Sequence, residues 1–341
     1  MTVSATATDT TESAPEARAG SALVRATFPY AKEDLGRTWQ LFATTMLVFA
    51  GFEVLAASPL PWFVRLIGSV GAALTWVRVF IFFHDHLHGA IWRKSTAGRW
   101  VMNLVGILTL SPSPVWRETH DYHHRNNAKI VGAAIGSFPV ATVRMWRRMT
   151  KGQRLAYRFI RSPLNMLMAY VTMFMIGMCI QPFLRNPSMH WQGPFALALH
   201  AGLVAGLWWF FGPLMPLFVL VIPLALACTS GAFLFYVQHN FPECQLADRA
   251  GWNYHAAALS SSSMMDMSGI MHWFTGNIGY HHVHHLNHKV PFYNLPVAMA
   301  EVPELQAPGR TSWAPADVKA CLDLALWDNR SQSWITWANV P

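Results

Sequence analysis

Long apolar runs separated by polar segments dominate the first part of the chain. Residues 39–57 and 62–83 are almost uncharged, and the proline-rich segment 58–61 interrupts the apolar pattern between them. As a helix, each run is long enough to cross about 30 Å of hydrocarbon. The pattern therefore predicts a hairpin of two transmembrane helices.

Three further apolar stretches, 163–183, 195–211 and 214–237, follow a long polar segment. Polar segments that carry histidines flank these stretches. An even number of the stretches must cross if those polar segments share one side of the membrane. We favour crossing by the last two, joined at Gly212-Pro213, with the first re-entrant or interfacial. In the alternative, the first crosses and the last two form one broken span, and the sequence leaves both arrangements open.

Composition indicates an integral membrane protein. Charged residues make up only 12% of the 341 residues, against roughly 25% in soluble domains, and the mean hydropathy is +0.24. The net charge is +8, and Arg and Lys concentrate in 92–162, which the positive-inside rule predicts to be cytoplasmic. Within it, 145–161 alternates aromatic and basic residues, which indicates an amphipathic helix on the membrane surface rather than a nucleic-acid-binding segment.

The same patterns divide the chain into a membrane domain and two tails. Residues 1–24 are expected to form a disordered tail, because they are polar and lack the features of a signal peptide. Residues 25–330 are expected to form the membrane domain, with a cytoplasmic cap mainly in 84–162 and 238–330. Residues 331–341 are expected to form a C-terminal tail. The four cysteines show no spacing typical of disulfides or of a thiolate metal site.

Histidines cluster at three places in the polar segments, each time with helical spacing. In the first cluster, His84 and His88 share one face of a helix that continues the second apolar run, whereas His86 points away. The second and third clusters each place three histidines at positions i, i+3 and i+4, and one more histidine ends the last apolar run. Imidazole is a common neutral ligand of zinc, copper and iron. The candidate metal ligands are His84, His88, His120, His123, His124, His239, His281, His284 and His285.

Nine imidazoles exceed what one metal ion needs, because a zinc ion takes about four ligands. The set therefore predicts two metals, and iron can activate O2 whereas zinc cannot change its oxidation state. Asp85 and Asp121 each follow a candidate ligand directly and are candidates for orienting its ring. Asn277, four residues before His281, is a candidate for a similar contact with a metal ligand or for holding a metal-bound water. The alternatives are solvation or ion pairing of the aspartates and helix capping by Asn277.

The three clusters resemble the signature of a known family. The motifs His84-Asp-x-x-His88-Gly, His120-x-x-His123-His124 and His281-x-x-His284-His285 resemble the three histidine boxes of membrane fatty-acid desaturases. Further segments are similar to bacterial acyl-lipid desaturases of the omega-6/delta-12 type, namely 235–239, 273–286, 290–296 and 324–328. The resemblance extends over about residues 25–330, the expected membrane domain.

The resemblance implies a non-haem di-iron enzyme with two Fe ions and no catalytic side chain beyond the metal ligands. Its implied reaction uses O2 and two external electrons to introduce a cis double bond into a fatty acyl chain held in a bent apolar tunnel. No His-Pro-Gly-Gly haem motif is present, so a separate electron donor is expected, and an acidic ferredoxin suits a basic cytoplasmic face. The implied location is the bacterial inner membrane, with the active site on the cytoplasmic side.

The predicted fold class is all-α. It has four transmembrane helices in two hairpins, interfacial helices and a cytoplasmic helical cap that holds the metal site, with a further helix near 317–327. A hydroxylase or ketolase acting on a carotenoid, sterol, sphingolipid or alkane is the main alternative, because the histidine boxes are shared. A metal transporter would need ionisable residues at mid-span, where these helices have few. Ala256 stands where the similar family segment usually carries Glu, which leaves substrate and regiochemistry open.

Overall fold

Helices account for most of the structure, a computed structural model that describes residues 17–132 and 135–341. The first helices are α1 Gly20–Ala26, α2 Leu35–Ala57, α3 Trp62–His88, α4 Thr96–Leu108, α5 Ser113–Asn126, α6 Val143–Arg148, α7 Lys151–Ile160, α8 Pro163–Leu167 and α9 Gln181–Arg185. The others are α10 Gln192–Phe211, α11 Leu214–Pro216, α12 Ile222–His239, α13 Tyr254–Ser260, α14 Gly269–Phe274, α15 His281–Leu286, α16 Leu295–Glu301 and α17 Pro315–Asp323. The strands are β1 Ala141–Thr142, β2 Met264–Asp266, β3 Arg310–Ser312, β4 Leu324–Asp328 and β5 Ser333–Thr336. Two π-helices span Tyr170–Ile180 and Leu217–Val221.

Four helices in the described part of the chain are long and apolar enough to cross a membrane. They are α2, α3, α10 and the continuous helix Leu214–His239, which contains α11, the second π-helix and α12. Helix length therefore agrees with the favoured crossing by the last two apolar stretches. The stretch 163–183 is divided instead among α8, a π-helix and α9, and Pro163 and Pro182 lie in the first turns of the two α-helices.

Helix α3 is the centre of the membrane bundle. In its most apolar part, 72% of the residues are buried, against 11% in α2 and in α10. Small residues let α2 approach it closely. At Gly68 a Cβ would lie 2.5 Å from the backbone nitrogen of Ala56, and at Gly71 one would lie 2.2 Å from the ring of Phe52. Small residues pack in this way at helix interfaces in membranes. The packing fixes the position of α3, whose C-terminal end carries the first histidines.

Short strands in the cap are the main departure from the all-α prediction. β1 pairs in parallel with β4, β4 pairs antiparallel with β5, and β2 pairs in parallel with β3. The helix predicted near 317–327 ends at Asp323, because the next residues are buried on both faces and enter β4. A buried apolar run of this length is compatible with a central strand, which is the position of β4 between β1 and β5. The predicted tail 331–341 contributes β5, so part of it belongs to this sheet.

The N-terminal part of the described chain is folded onto the cap. Residues 1–16 of the predicted disordered tail lie outside the described residues, but its last residues, 20–24, lie in α1. That part of the prediction is wrong because Leu23 is packed into the core, with only 2% of its surface exposed. The segment is also held by Arg18, which pairs with Glu304 at 2.8 Å.

Candidate metal centre

Nine buried histidines meet where α3, α5, α12 and α15 converge. They form two groups, in each of which the candidate ligand atoms lie within 4.8 Å of one another. The five-histidine group consists of His84, His88, His120, His124 and His284. The four-histidine group consists of His123, His239, His281 and His285. The structure thus brings together all nine histidines that the sequence indicated.

Helix phase explains how the histidines divide. An α-helix turns about 100° per residue, so the side chains at i and i+4 diverge by only about 40°, whereas i+3 points about 60° to the other side. In α5, the histidines at i and i+4 join the five-histidine group, and His123 at i+3 joins the other. In α15, the histidines at i and i+4 join the four-histidine group, and His284 at i+3 crosses over. Each helix therefore serves both groups and holds them side by side.

The Nε2 atoms of eight of the nine histidines are evenly spaced within their groups, His88 being the exception. In the five-histidine group, they are 3.1 Å apart in each of the pairs His84–His120, His120–His124 and His124–His284. The four-histidine group forms a closed ring, with His123–His239 at 3.1 Å, His239–His281 at 2.9 Å, His281–His285 at 3.2 Å and His285–His123 at 3.3 Å. Two nitrogens bound at right angles to one metal, each about 2.0–2.1 Å from it, would be about 3.0 Å apart. The spacing therefore fits a metal ion shared within each group.

The protonation of the rings also suits metal binding. His239 Nδ1 lies 2.9 Å from the carbonyl oxygen of Ser261; only a protonated Nδ1 can donate to that oxygen, so the Nε2 lone pair faces the group. His88 Nε2 is buried without a hydrogen-bond partner among the described residues. Burial lowers the pKa of His123 and of His285 well below the ordinary value, which keeps both rings neutral and able to ligate near neutral pH. This donor set fits iron.

Asp85 makes the contact expected of a carboxylate that orients a ligand. It is 1% exposed, and its Oδ1 accepts a hydrogen bond from His84 Nδ1 at 2.9 Å. Its Oδ2 accepts another from the backbone N–H of Phe292 at 2.7 Å. Because His84 Nδ1 is the donor, its Nε2 lone pair is turned toward the five-histidine group.

Replacing Asp85 with asparagine should weaken the metal site. The amide keeps the size of the side chain but removes the charge that holds His84 in one tautomer, so metal retention and turnover should fall about 10–100-fold. The measurement is the metal content after dialysis against a chelator, with turnover alongside. Asp121→Asn is the matched control, and equal losses in the two variants would contradict the orienting role.

Asp121 does not take the predicted orienting role. It directly follows His120 on α5, just as Asp85 follows His84 on α3, but its contacts differ. Among the described residues, none of the nine histidines donates a hydrogen bond to it. Its negative charge acts instead on Lys289. Burial lowers the pKa of Lys289, and the charge of Asp121 offsets part of that lowering. The alternative given by the sequence, a surface carboxylate near basic side chains, fits this position.

Asn277 lies in a turn and not on the helix expected to carry it toward His281. Helix α15 begins only at His281, and Asn277 has a φ of 56°, a conformation that Asn adopts more readily than most residues. Its Nδ2 donates to the carbonyl oxygen of Phe292 at 3.1 Å, whose N–H is bound by Asp85. Asn277 therefore holds the segment that anchors Asp85, and its contact with a metal-bound water stays a prediction.

Several neighbours of the histidines were missed by the sequence analysis. Trp116 stacks on His120 with ring centroids 4.1 Å apart and planes at 27°. Phe235 lies 4.8 Å from the ring of His123, and the backbone of Ser261 fixes the tautomer of one ligand. One aromatic among many in an apolar helix has no distinguishing pattern, and a carbonyl oxygen has no sequence signal at all.

An apolar cavity of about 620 Å³ reaches both histidine groups. His84 and His120 from one group and His281 from the other are among its lining residues. The other walls come mainly from α3, α12 and the π-helix Tyr170–Ile180. A π-helix of 11 residues is unusual, and π geometry is frequent at functional sites. The volume and apolar lining suit a flexible hydrocarbon ligand.

Comparison with known proteins agrees with this site. The profile of the family described as Fatty acid desaturase matches residues 60–315, which include all nine histidines. A fatty acid desaturase of Bacillus subtilis is 31% identical over 268 residues, which are 74% of this chain and 73% of that protein. The sn-1 oleoyl-lipid 12-desaturase of Synechocystis sp. is 24% identical over 75% of this chain and 71% of its own. The sn-1 oleoyl-lipid 12-desaturase of Picosynechococcus sp. is 25% identical over 78% of this chain and 76% of its own.

Proposed function

The chain belongs to the fatty acid desaturase family, and we propose that its two histidine groups hold two non-haem iron ions that serve fatty acyl desaturation. The observation that carries the proposal is the division of nine buried histidines into two groups beside one apolar cavity. The hydroxylase or ketolase alternative is not favoured, because the similar relatives are named desaturases.

The reaction balances with O2 and an external donor. When bound, the irons supply the activation of O2 and the removal of hydrogen from unactivated carbon. One C–H bond is lost from each of two neighbouring methylene groups and a C=C bond forms, so the acyl chain gives up two electrons and two protons. The donor supplies two more electrons and solvent two more protons, and O2 is reduced to two water molecules.

The side chains of the cavity position the hydrocarbon and exclude water. The walls from α3, α12 and the π-helix are almost entirely apolar, so the acyl chain binds by burial and not by polar contacts. Both histidine groups reach the cavity wall, through His84 and His120 from one group and His281 from the other. A methylene held at this point lies next to the metals in a site from which bulk water is displaced.

Expression in a host without desaturases tests the function. We expect a new unsaturated fatty acid, whose double bond is located by mass spectrometry after derivatisation, and two iron ions per purified chain. An oxygenated product with no new double bond would contradict desaturation. An active protein that holds a single zinc ion would contradict the di-iron proposal.

We place the cap and its histidines on the cytoplasmic side of the bacterial inner membrane. The four long apolar helices support membrane insertion. The basic residues of 92–162 support the orientation, because Lys and Arg accumulate in cytoplasmic segments. Helix α7 supports a surface position, since apolar Leu155 is 71% exposed on a helix that also carries three basic side chains.

A basic patch beside the five-histidine group suits an acidic electron donor, for which a ferredoxin is the proposed example. The patch consists of exposed Arg93, Arg117 and Lys289, and burial together with the charge of Arg93 lowers the pKa of Lys289. Lys289 Nζ donates to the carbonyl oxygen of His88. Half-buried His288 lies with its ring 4.8 Å from that of His88. The patch therefore contacts the backbone of one candidate ligand, and His288 packs against the ring of that ligand.

Reversing the charge of Arg93 and Arg117 together, Arg93→Glu with Arg117→Glu, should raise the KM for an acidic ferredoxin about tenfold or more. The effect should shrink at high salt, because complementary surface charges act mainly on association. The measurement is turnover against ferredoxin concentration at two ionic strengths. Arg330→Glu, which lies outside the patch, is the matched control. An unchanged KM in the double variant would place the donor elsewhere.

A further inference from the structure

A second pocket, also of about 620 Å³, lies where the end of α7 meets α17. We call it the α7–α17 pocket. Arg158, Arg161 and Ser162 line it from the corner between α7 and α8, and Lys319 and Asp323 line it from α17. Three cations thus share the pocket with one carboxylate, and this carboxylate is already paired with Lys319. The pocket therefore has an excess of positive charge.

Arg161 is the most buried of these cations and forms no ion pair with the described part of the chain. Only 1% of its surface is exposed. Its guanidinium donates four hydrogen bonds of 3.0 Å to neutral oxygens of Pro139, Tyr236, Asn240 and Leu324, and its Nε has no partner among the described residues. No carboxylate of residues 17–132 or 135–341 lies within ion-pair distance of it. Because buried charges are normally paired, an anion in the adjoining pocket would complete its surroundings.

The pocket lies where the protein surface changes from basic to apolar. Helix α7 carries Lys151, Arg154 and Arg158, whereas Leu164 and Leu167 on α8 are 55% and 66% exposed. A basic amphipathic helix followed at once by exposed leucines is typical of the level of the lipid headgroups. The anions concentrated at that level are lipid phosphates.

The corner between α7 and α8 also connects this pocket with the acyl cavity. Phe159, Ile160 and Asn165 line the cavity, whereas Arg158 and Arg161, from the same helical turn, line the α7–α17 pocket. We propose that the α7–α17 pocket binds the phosphate of the glycerophospholipid whose acyl chain occupies the cavity. The inference rests on the proposed function and specifies the carrier of the acyl chain.

Calorimetric titration of the purified, iron-loaded protein in detergent tests the proposal. The ligands are dioctanoyl phosphatidylglycerol, dioctanoylglycerol without phosphate, and inorganic phosphate. We expect the phospholipid to bind about tenfold more tightly than dioctanoylglycerol. Arg158→Gln combined with Lys319→Gln should remove most of this preference, because two of the three cations of the pocket are lost while buried Arg161 remains to keep the fold. Arg158→Lys with native Lys319 should restore most of it.

Lys151→Gln is the matched control, since it removes one positive charge from α7 outside the pocket and should preserve the preference. A phospholipid preference that survives undiminished in the double variant would overturn the site. Inorganic phosphate that binds as tightly as the phospholipid would also overturn it, because the pocket would then be a site for a free anion and not for a lipid. Binding needs no turnover, so a protein that prefers the phospholipid but forms no double bond would contradict the proposed function and leave the site intact.

Discussion

His123→Ala and His284→Ala are each expected to reduce double-bond formation to background while the protein still inserts into the membrane. The loss should exceed the roughly 10–100-fold that removal of an outer-shell partner causes, because each substitution removes a ligand. His123 belongs to the four-histidine group and His284 to the five-histidine group. Each variant should therefore lose metal from a different group and retain the other, so that iron content falls from about two to about one per chain.

A buried histidine in the same helix provides the control. His282 is 1% exposed, and its Nε2 donates to the carbonyl oxygen of Leu305 at 3.0 Å, outside both groups. His282→Gln keeps a donor at that position and should retain both irons and most of the activity. The measurements are elemental analysis of the purified protein and fatty-acid analysis of the expressing cells. Full iron content and turnover in both alanine variants would contradict the ligand assignment.

The histidines could be found from sequence because their spacing is a property of a single helix. The same argument placed His86 off the ligand face, and His86 belongs to neither group. The division between groups was also accessible, since i and i+4 diverge less than i and i+3. That step needs only the helical angle. It would have separated His123 from the other two histidines of α5, and His284 from the other two ligand candidates of α15.

The features of the fold and the site that could not be predicted from the sequence depend on contacts between distant segments. Asn277 could be placed on a helix only by extending α15 backwards, but a left-handed turn at that residue breaks the phase. β4 is stabilised by pairing with β1, which lies almost 200 residues earlier, and a buried run of its length is equally compatible with a helix end. The carbonyl oxygen of Ser261 reaches His239 only in the folded chain. Such partners have no local pattern to be recognised.

Gly231→Phe is expected to block the acyl cavity without disturbing the metals. Gly231 lies on α12 and lines the cavity, and a Cβ added there would meet no atom within 4 Å. The phenyl ring would therefore enter the space that the hydrocarbon occupies. We expect kcat/KM for long saturated chains to fall roughly 100-fold, as even small displacements of a reacting group do, while shorter chains lose less.

The control is Gly202→Phe on α10, which adds the same ring where a Cβ also meets no atom within 4 Å and the residue is exposed. Both variants exchange glycine for phenylalanine within a helix, so their effects on helix stability should be similar. Iron content should stay at the parental value in both, which separates a blocked cavity from a damaged metal site. If Gly231→Phe desaturates long and short chains as the parent does, the acyl chain must lie outside this cavity. The histidines that line the cavity would then face something other than the substrate.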